Sequence, residues 1–173
     1  YTREYPVERL YRDNRLNHIH EGTFGIQGRD LLGRKLAAGE AALAPLWQEI
    51  EAGLALAAEQ GLTAEAAQLS EAMRAVERAL AAVQGCPDRS VALANATPFL
   101  DAFGTVVVGW LWLWQAAVAQ QAAGADEAGF YRGKLAAARY FFRYVLPGVL
   151  PVLALVESLD DTCETLAPED FGF

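Results

Sequence analysis

A glutamate followed by a glycine and a threonine is the part of this sequence best suited to chemistry. Glu21 directly precedes Gly22 and Thr23, and a helix is predicted over residues 24–36. Thr23 is a good N-cap residue, because its hydroxyl can accept a bond from a free amide of the first turn. A helix start also favours an anion. The stretch therefore offers a carboxylate beside a possible anion site, although a solvated glutamate before an ordinary capped helix explains the same residues.

Two histidines beside this glutamate raise the question of a metal. His18 and His20 flank residue 19 and lie next to Glu21, and imidazole and carboxylate are both good ligands. Alternate residues of an extended segment, however, point to opposite sides. No further Cys or His nearby completes a tetrahedral set. We therefore expect no metal site.

The residues around Glu21 form part of a longer pattern. Tyr-Pro at residues 5–6 and Arg-Asp at residues 12–13 precede Glu-Gly-Thr-x-x-Ile-Gln at residues 21–27. In order and spacing these residues resemble the last conserved segment of the acyl-CoA dehydrogenases. Asp-Leu-x-Gly-Arg-Lys-Leu at residues 30–36 continues the pattern of one bacterial branch. The rest of the chain resembles, more loosely, the C-terminal helical extension of that branch.

The resemblance implies an FAD-dependent oxidoreductase of fatty acid metabolism that desaturates the α–β bond of an acyl-CoA thioester. By its place in the motif, Glu21 would be the catalytic base and Gly22 would line the substrate thioester. Thr23, Phe24 and Gly25 would contact FAD, although many members of the family have polar residues in place of the last two. The resemblance also implies an electron-transferring flavoprotein as electron acceptor and a homo-oligomer, either a dimer or a tetramer.

The start of the chain indicates that it is a piece of a longer protein. Residue 1 is Tyr, and the single methionine is Met73. The resemblance agrees, because most of a flavoenzyme would lie upstream. We therefore expect the isolated chain to be inactive. We place a boundary near Ala38, with residues 1–37 ending the catalytic helical domain and residues 38–173 forming the extension.

Composition indicates a helical protein that does not bind nucleic acid in general. Of its 173 residues, 53% are hydrophobic, largely Ala and Leu, and proline is sparse. The net charge of −8 argues against a nucleic-acid surface, which needs clustered cations. Cys86 and Cys163 lie far apart with no CxxC motif, which argues against a disulfide framework. We therefore predict a reducing, cytoplasmic location.

Apolar spacing predicts an all-α bundle of about five to seven helices. A short helix begins at Pro6, and helices over residues 40–60 and 64–84 are separated by Gly61 and a capping Thr63. A later helix from residue 130 is broken near Pro147 and continues over residues 152–166. Leu16 and Ile19 are expected to anchor the segment before Glu21 in the core.

One segment is apolar enough to cross a membrane. Residues 102–119 carry no charge and include Trp110, Trp112 and Trp114. No cationic flank marks a cytoplasmic end. We therefore predict no membrane span and interpret the segment as a central helix buried on several sides. Tryptophans at every second position cannot share one face of such a helix.

A basic stripe stands out in this acidic chain. It consists of Arg132, Lys134, Arg139 and Arg143. We interpret it as a surface or inter-subunit salt-bridge face rather than as an anion-binding surface.

Two other functions stay open beside the dehydrogenase. The bundle fits an interaction module that only buries surface between subunits and performs no chemistry. It also fits a DNA-repair-associated relative of the same superfamily, although the net charge of −8 is unfavourable for binding DNA.

Overall fold

The computed structural model describes residues 4, 6–16, 23–122 and 128–172, and this part of the chain is helical without strands. The α-helices are α1 (Val7–Arg15), α2 (Phe24–Asp30), α3 (Glu40–Glu59), α4 (Thr63–Gly85), α5 (Arg89–Ala94), α6 (Ala96–Gln121), α7 (Ala128–Tyr140) and α8 (Val149–Glu157). A π-helical turn, Leu31–Lys35, extends α2, and the turns Phe141–Val145 and Leu146–Gly148 join α7 to α8. Counting α7 and α8 as one bent rod, the described residues form seven helical rods. The predicted all-α bundle is confirmed.

The long apolar helix α6 lies at the centre of this bundle. Helices α2, α3, α4, α7 and α8 all contact it. Phe99, Val106 and Leu113 on its inner side are fully buried. Burying each such side chain contributes about 1.5–3 kcal/mol relative to leaving it in water. The apolar run that sequence reasoning placed in the core therefore organises the packing of the other helices.

One side of α6, however, is bare. Val108, Leu111, Trp114 and Val118 are between 38% and 49% exposed. Their spacing of three and four residues places them along one helix face. The expectation of burial on several sides is therefore met except along this stripe.

The tryptophans of α6 occupy different faces, as predicted. The rings of Trp110 and Trp114 stack, with centroids 6.4 Å apart and planes 8° apart. Trp112 instead lies under the ammonium of Lys134, whose Nζ is 5.5 Å from the ring centroid.

Two helical stretches are long and apolar enough to cross a membrane by length and composition alone. They are Ala96–Gln121 and Gly129–Glu157, with 39% and 33% of their most apolar windows buried inside the protein. Helices in the core of a water-soluble protein meet the same criterion. The absence of a membrane span stays a prediction.

A glycine lets α3 approach the tryptophan side of α6. A Cβ atom placed on Gly53 would lie 2.9 Å from Nε1 of Trp110, which is closer than van der Waals contact allows. The indole therefore occupies space that any other residue at position 53 would need. The two helices pack closely because this side chain is missing.

Helix α8 ends nine residues earlier than the sequence predicted, at Glu157 rather than Leu166. The hydroxyl of Ser158 donates to the carbonyl of Leu155 (2.7 Å), and Leu159 has a left-handed backbone with φ 55°. The Asp160 carboxylate then accepts from the backbone N–H of Thr162 (3.2 Å). These short polar side chains offer the backbone an alternative to continued helix.

Helix starts also differ from expectation in detail. Leu62 holds the cap position of α4, so Thr63 is the first helical residue and not the cap. Asp88 caps α5, because its carboxylate accepts from the backbone N–H groups of Ser90 (2.8 Å) and Val91 (3.4 Å). An aspartate at the head of a helix is a recognisable signal that the sequence analysis did not use.

The first helix buries nothing within this chain. No residue of α1 is buried, and its apolar side chains Val7, Leu10 and Tyr11 are 52–59% exposed. Leu16 is 53% exposed. The prediction that Leu16 anchors the following segment in the core is therefore wrong for this chain, and Ile19 lies outside the described residues.

Candidate functional site

The residues proposed for chemistry fall into two groups. Glu21 and Gly22, together with His18 and His20, lie outside the described residues. The three residues assigned to FAD, 23–25, form the entry to α2. The described part of the site therefore consists of this helix entry and of the contacts that hold α2 on the bundle.

Thr23 occupies the cap position of α2 but does not cap it with its side chain. Its backbone is extended (φ −80°, ψ 156°), and its carbonyl accepts the first helical bond from the N–H of Gln27 (3.1 Å). The hydroxyl makes no capping bond, so the predicted bond is wrong. Thr23 is exposed, and water can satisfy both the hydroxyl and the free amides there. The hydroxyl is thus available to a ligand.

The residues after Thr23 face outward, next to the start of α6. Phe24 and Ile26 are 55% and 60% exposed. A Cβ atom placed on the half-buried Gly25 would be 3.7 Å from the hydroxyl oxygen of Thr97. Thr97 therefore lies beside the proposed cofactor stretch. Thr97 was not among the predicted site residues, because nothing in the local sequence shows which helices meet.

Gly28 fixes how α2 lies on the bundle. It is buried, and a Cβ atom there would be 2.7 Å from the carbonyl oxygen of Ala96 and 2.9 Å from its carbonyl carbon. Backbone thus meets backbone where α2 crosses α6. This contact was not predicted. The sequence feature that indicates it is that Gly28 follows Gly25 by three residues, so that both glycines lie on the same face of the helix.

The far end of α2 is held by the core. Leu32 and Leu36 are 3% and 5% exposed and belong to the same buried cluster as the larger helices. The Gln84 side chain of α4 donates from Nε2 to the carbonyl of Leu36 (3.1 Å). The motif helix and the residues after Ala38 therefore share one core, and the domain boundary placed there stays a prediction.

Charged groups at this end of α2 pair with each other. Arg34 donates from Nε and Nη2 to the two carboxylate oxygens of Asp30 (2.5 and 3.0 Å), and Lys35 Nζ lies 3.5 Å from one of them. The hydrogen bond from Arg34 lowers the pKa of Asp30, and the same bond raises the pKa of Arg34. These cations also sit about 15 Å along the helix from Thr23, and so they do not serve an anion at the helix start.

A cavity of about 410 Å³ lies between the end of α2, the end of α4 and α5. Its walls include Gly33, Gln84, Arg89 and Leu93.

Among the described residues, no group of three or more His, Cys, Asp or Glu side chains could hold a metal ion. The described part of the site therefore supplies a hydroxyl and backbone amides but no base, and proton transfer would depend on Glu21.

Comparison with known proteins identifies the larger part of the chain. Residues 38–167 match the family model described as "Acetyl-CoA dehydrogenase C-terminal like". The match covers the helices α3 to α8 and begins just after the Glu-Gly-Thr motif helix.

Curated relatives extend the similarity across the motif. The chain is 33% identical to the broad-specificity linear acyl-CoA dehydrogenase FadE5 of Mycobacterium tuberculosis, over 93% of this chain and 29% of that protein. It is 34% identical to the 3-methylmercaptopropionyl-CoA dehydrogenase of Ruegeria pomeroyi, over 84% and 26% respectively. It is 28% identical to the butyryl-CoA dehydrogenase of Syntrophomonas wolfei, over 99% and 29%. The chain spans less than a third of the length of these relatives.

The Gly28 contact predicts a large difference between two glycine substitutions. Gly28→Ala should lower the free energy of unfolding by about 1–3 kcal/mol, because the new methyl group meets backbone atoms that cannot rotate away. Gly104→Ala is the matched control, since nothing lies within 4 Å of a Cβ there, and it should stabilise α6 by about 0.5–1 kcal/mol. Urea denaturation followed by circular dichroism measures both. Equal effects would show that α2 does not cross α6 as described.

The Asp30–Arg34 pair predicts a small acid-sensitive contribution to stability. Folding lowers the pKa of Asp30, so the contribution is complete above the ordinary carboxyl pKa and is lost as pH falls through the lowered value. It should be small, because the Arg34 side chain is 73% exposed. NMR titration should show the Asp30 pKa rising toward its ordinary value in Arg34→Gln but not in the control Arg29→Gln. An unchanged Asp30 pKa in Arg34→Gln would exclude the pair in solution.

Proposed function

We propose that this chain, which belongs to the acyl-CoA dehydrogenase family and matches its C-terminal domain, forms the C-terminal part of an FAD-dependent acyl-CoA dehydrogenase. The observation that carries the proposal is the Glu-Gly-Thr-x-x-Ile-Gln motif, whose described residues from Thr23 onward form an exposed helix entry that Gly28 holds against the bundle. The bundle would thus hold the segment that performs the chemistry against the remainder of the enzyme.

In the proposed reaction, Glu21 removes the proton on the α-carbon of the acyl thioester. When bound, FAD would supply the hydride acceptor for the β-hydrogen. A carboxylate can act as a base near neutral pH if a dry pocket raises its pKa. Negative charge develops on the thioester oxygen as the proton leaves, and that oxygen must be stabilised by hydrogen-bond donors. Gly22, which follows the base, would line the thioester and let it approach the backbone.

The residues at the entry to α2 fit a contact with FAD but not a complete binding site. The Thr23 hydroxyl is free of any capping bond, and the amides of the first helical turn have no acceptor within the helix. Phe24 and Gly25 contribute only backbone groups and apolar surface where polar side chains are common in the family. A dinucleotide needs many more positioned groups, which supports a cofactor held mainly by the rest of the enzyme.

Exposed apolar side chains support the same arrangement. Val7, Leu10 and Tyr11 of α1 and Phe24 and Ile26 of α2 are each more than half exposed. Exposed apolar side chains that group on a protein surface are typical of an interaction site. We propose that in the parent enzyme this surface packs against a part of the protein outside these 173 residues.

The same observations bear on the two alternative functions, an interaction module and a DNA-repair-associated relative. A purely structural role for the helices after Ala38 is compatible with the proposal, since these helices position α2. All three relatives carry acyl-CoA dehydrogenase names, which favours desaturation over the DNA-repair-associated function. Those names specify different acyl groups, and we therefore propose the thioester class alone. Electron-transferring flavoprotein as acceptor and a cytoplasmic location stay predictions.

The isolated chain should neither retain FAD nor turn over acyl-CoA. Its part of the site is one helix entry and its neighbours, and binding a large cofactor must repay the lost translational freedom. Flavin absorbance after gel filtration, together with an assay using an artificial electron acceptor, measures both properties. Stoichiometric yellow protein would show that the cofactor site lies within these residues.

Replacement of the proposed base tests the function in the intact parent enzyme. Glu21→Gln keeps the shape of the side chain but removes the base. Flavin reduction should therefore slow by about 10²–10⁴-fold, the usual contribution of a general base. Stopped-flow bleaching of the flavin after mixing with acyl-CoA measures the rate.

Flavin content and thermal melting are the controls for this variant, and both should match the unmodified enzyme. Near-normal bleaching in a folded, FAD-loaded Glu21→Gln protein would place the base elsewhere. Loss of FAD or a collapsed melting temperature would make Glu21 a structural residue.

A further inference from the structure

The contact between α3 and α6 leaves a small pocket of about 220 Å³ between the two helices. One wall is a single face of α3, where side chains recur every three or four residues. It consists of Glu49, Ala52, Gly53 and Leu56. The other wall is formed by Trp110 and Trp114 of α6. Pockets for drug-sized ligands measure about 300–1,000 Å³, so this α3–α6 pocket suits a small molecule or a single head group.

The two indoles give the pocket an accessible aromatic surface. Their nearly parallel rings lie side by side along α6. Trp110 is half-buried and Trp114 is 49% exposed, so part of each ring can still meet a ligand. The face of an aromatic ring carries negative charge and attracts a cation within about 6 Å of its centroid, and tryptophan does so most strongly.

A carboxylate without a partner stands beside these rings. Glu49 is exposed and forms no ion pair in the part of the chain that the structure describes. Neither α3 nor α6 contains a lysine or an arginine, so the helices that form the pocket supply no cation. The net charge of −8 also raises the local concentration of cations in solution. Both the carboxylate and the indole faces therefore favour a positively charged ligand.

The third tryptophan of α6 already binds a cation of the chain itself. Nζ of Lys134 lies 5.5 Å from the ring centroid of Trp112 and 5.6 Å from that of Phe130, and it donates to the side-chain oxygen of Gln115 (2.9 Å). The basic stripe that includes Lys134 forms no salt bridge among the described residues, unlike the surface pairs predicted for it. An ammonium group over an indole is thus an interaction that this fold uses, and these contacts hold Lys134 at Trp112.

We propose that the α3–α6 pocket binds a small quaternary ammonium cation. The methyl groups of the cation lie against the rings of Trp110 and Trp114, and the carboxylate of Glu49 balances its charge. This inference does not depend on the proposed dehydrogenase activity.

The shortage of hydrogen-bond acceptors in the pocket selects this class of cation. A primary ammonium has three N–H donors and a guanidinium has five, and each donor that leaves water needs an acceptor. The Glu49 carboxylate is the acceptor that the walls provide, because the other lining side chains carry none. The backbone carbonyls inside both helices already accept helical bonds. A quaternary ammonium has no N–H donor to satisfy.

NMR titration of the full 173-residue chain tests the proposal. With ¹⁵N labelling, the indole N–H groups of Trp47, Trp110, Trp112 and Trp114 give four separate probes of position, assigned by single Trp→Phe substitutions. The ligands are choline, its primary ammonium counterpart ethanolamine, and 3,3-dimethyl-1-butanol, a neutral molecule of the same shape as choline. Sodium chloride keeps the ionic strength equal throughout.

We expect choline to shift the signals of Trp110 and Trp114 saturably, with a Kd on the order of 1–10 mM, and to leave those of Trp47 and Trp112 in place. The neutral molecule should bind on the order of tenfold more weakly, because it lacks the charge that the rings attract. Ethanolamine should bind at least about threefold more weakly than choline, because its donors lose water without gaining enough acceptors.

Substitutions at the pocket give a second measurement. Glu49→Gln keeps the size of the side chain but removes its charge, and it should weaken choline binding about threefold. Glu51→Gln is the matched control, since Glu51 is also exposed on α3 but does not line the pocket, and it should change nothing. Trp114→Leu should weaken binding on the order of tenfold. Circular dichroism melting checks that each variant is folded.

Equal affinity for choline and its neutral counterpart would overturn the proposal, because the pocket would then be merely apolar. Equal affinity for ethanolamine would exclude the quaternary class, and choline binding that Glu49→Gln leaves unchanged would exclude this site. Phosphatidylcholine vesicles carry the same cationic group on a lipid. Chain that sediments with these vesicles and is released by free choline would identify a lipid head group as the ligand, whereas chain that binds choline but stays in solution would identify a soluble cation.

Discussion

The need to cover one uncharged helix governs the arrangement of this protein. Residues 102–119 of α6 contain no charged side chain, and apolar surface of that extent is costly to leave in water. Five helices pack around it, and their order along the chain matters less than the side of α6 that each one covers. The exposed stripe from Val108 to Val118 is the side of α6 that no helix of this chain covers.

Covering α6 also positions the residues with chemical potential. The entry to α2 carries no buried side chain that could fix it, since Thr23, Phe24 and Ile26 all face outward. Its orientation comes instead from Gly28, which meets the backbone of Ala96, and from Leu32 and Leu36 in the core. The helices after residue 38 therefore act on the motif by holding the helix that follows it.

Much of the fold could be predicted from the sequence, because regular apolar spacing marks α3 and α4 and a long uncharged run marks α6. The end of α8 was placed too late although its signal is local, because Ser158 and Asp160 bond backbone groups only three and two residues away. Apolar spacing alone did not show that the apolar side chains of α1 are more than half exposed in this chain. Periodicity shows that a helix has an apolar side, but not which molecule covers it.

The candidate site, too, could be predicted from the sequence only in part. Resemblance of the motif to a family pointed to Glu21 and its neighbours, whereas the local residues alone favoured a solvated glutamate before an ordinary capped helix. The positions of Gly28 and Thr97 depend on which two helices cross. Such contacts join residues 68 or more positions apart, and no local pattern encodes them. The pairing of Arg34 with Asp30, by contrast, follows from their spacing of four on one helix.

The close approach of Gly53 to Trp110 constrains how these two positions can change through descent. A methyl group at position 53 collides with the indole, so a change there costs less once a smaller side chain has replaced the tryptophan. After that replacement, alanine at position 53 favours the helix by about 1 kcal/mol over glycine. Return of tryptophan is then unfavourable until glycine returns. Tryptophan at position 110 should therefore be accompanied by glycine at position 53 in related sequences, whereas glycine at position 53 should also occur beside smaller residues at position 110.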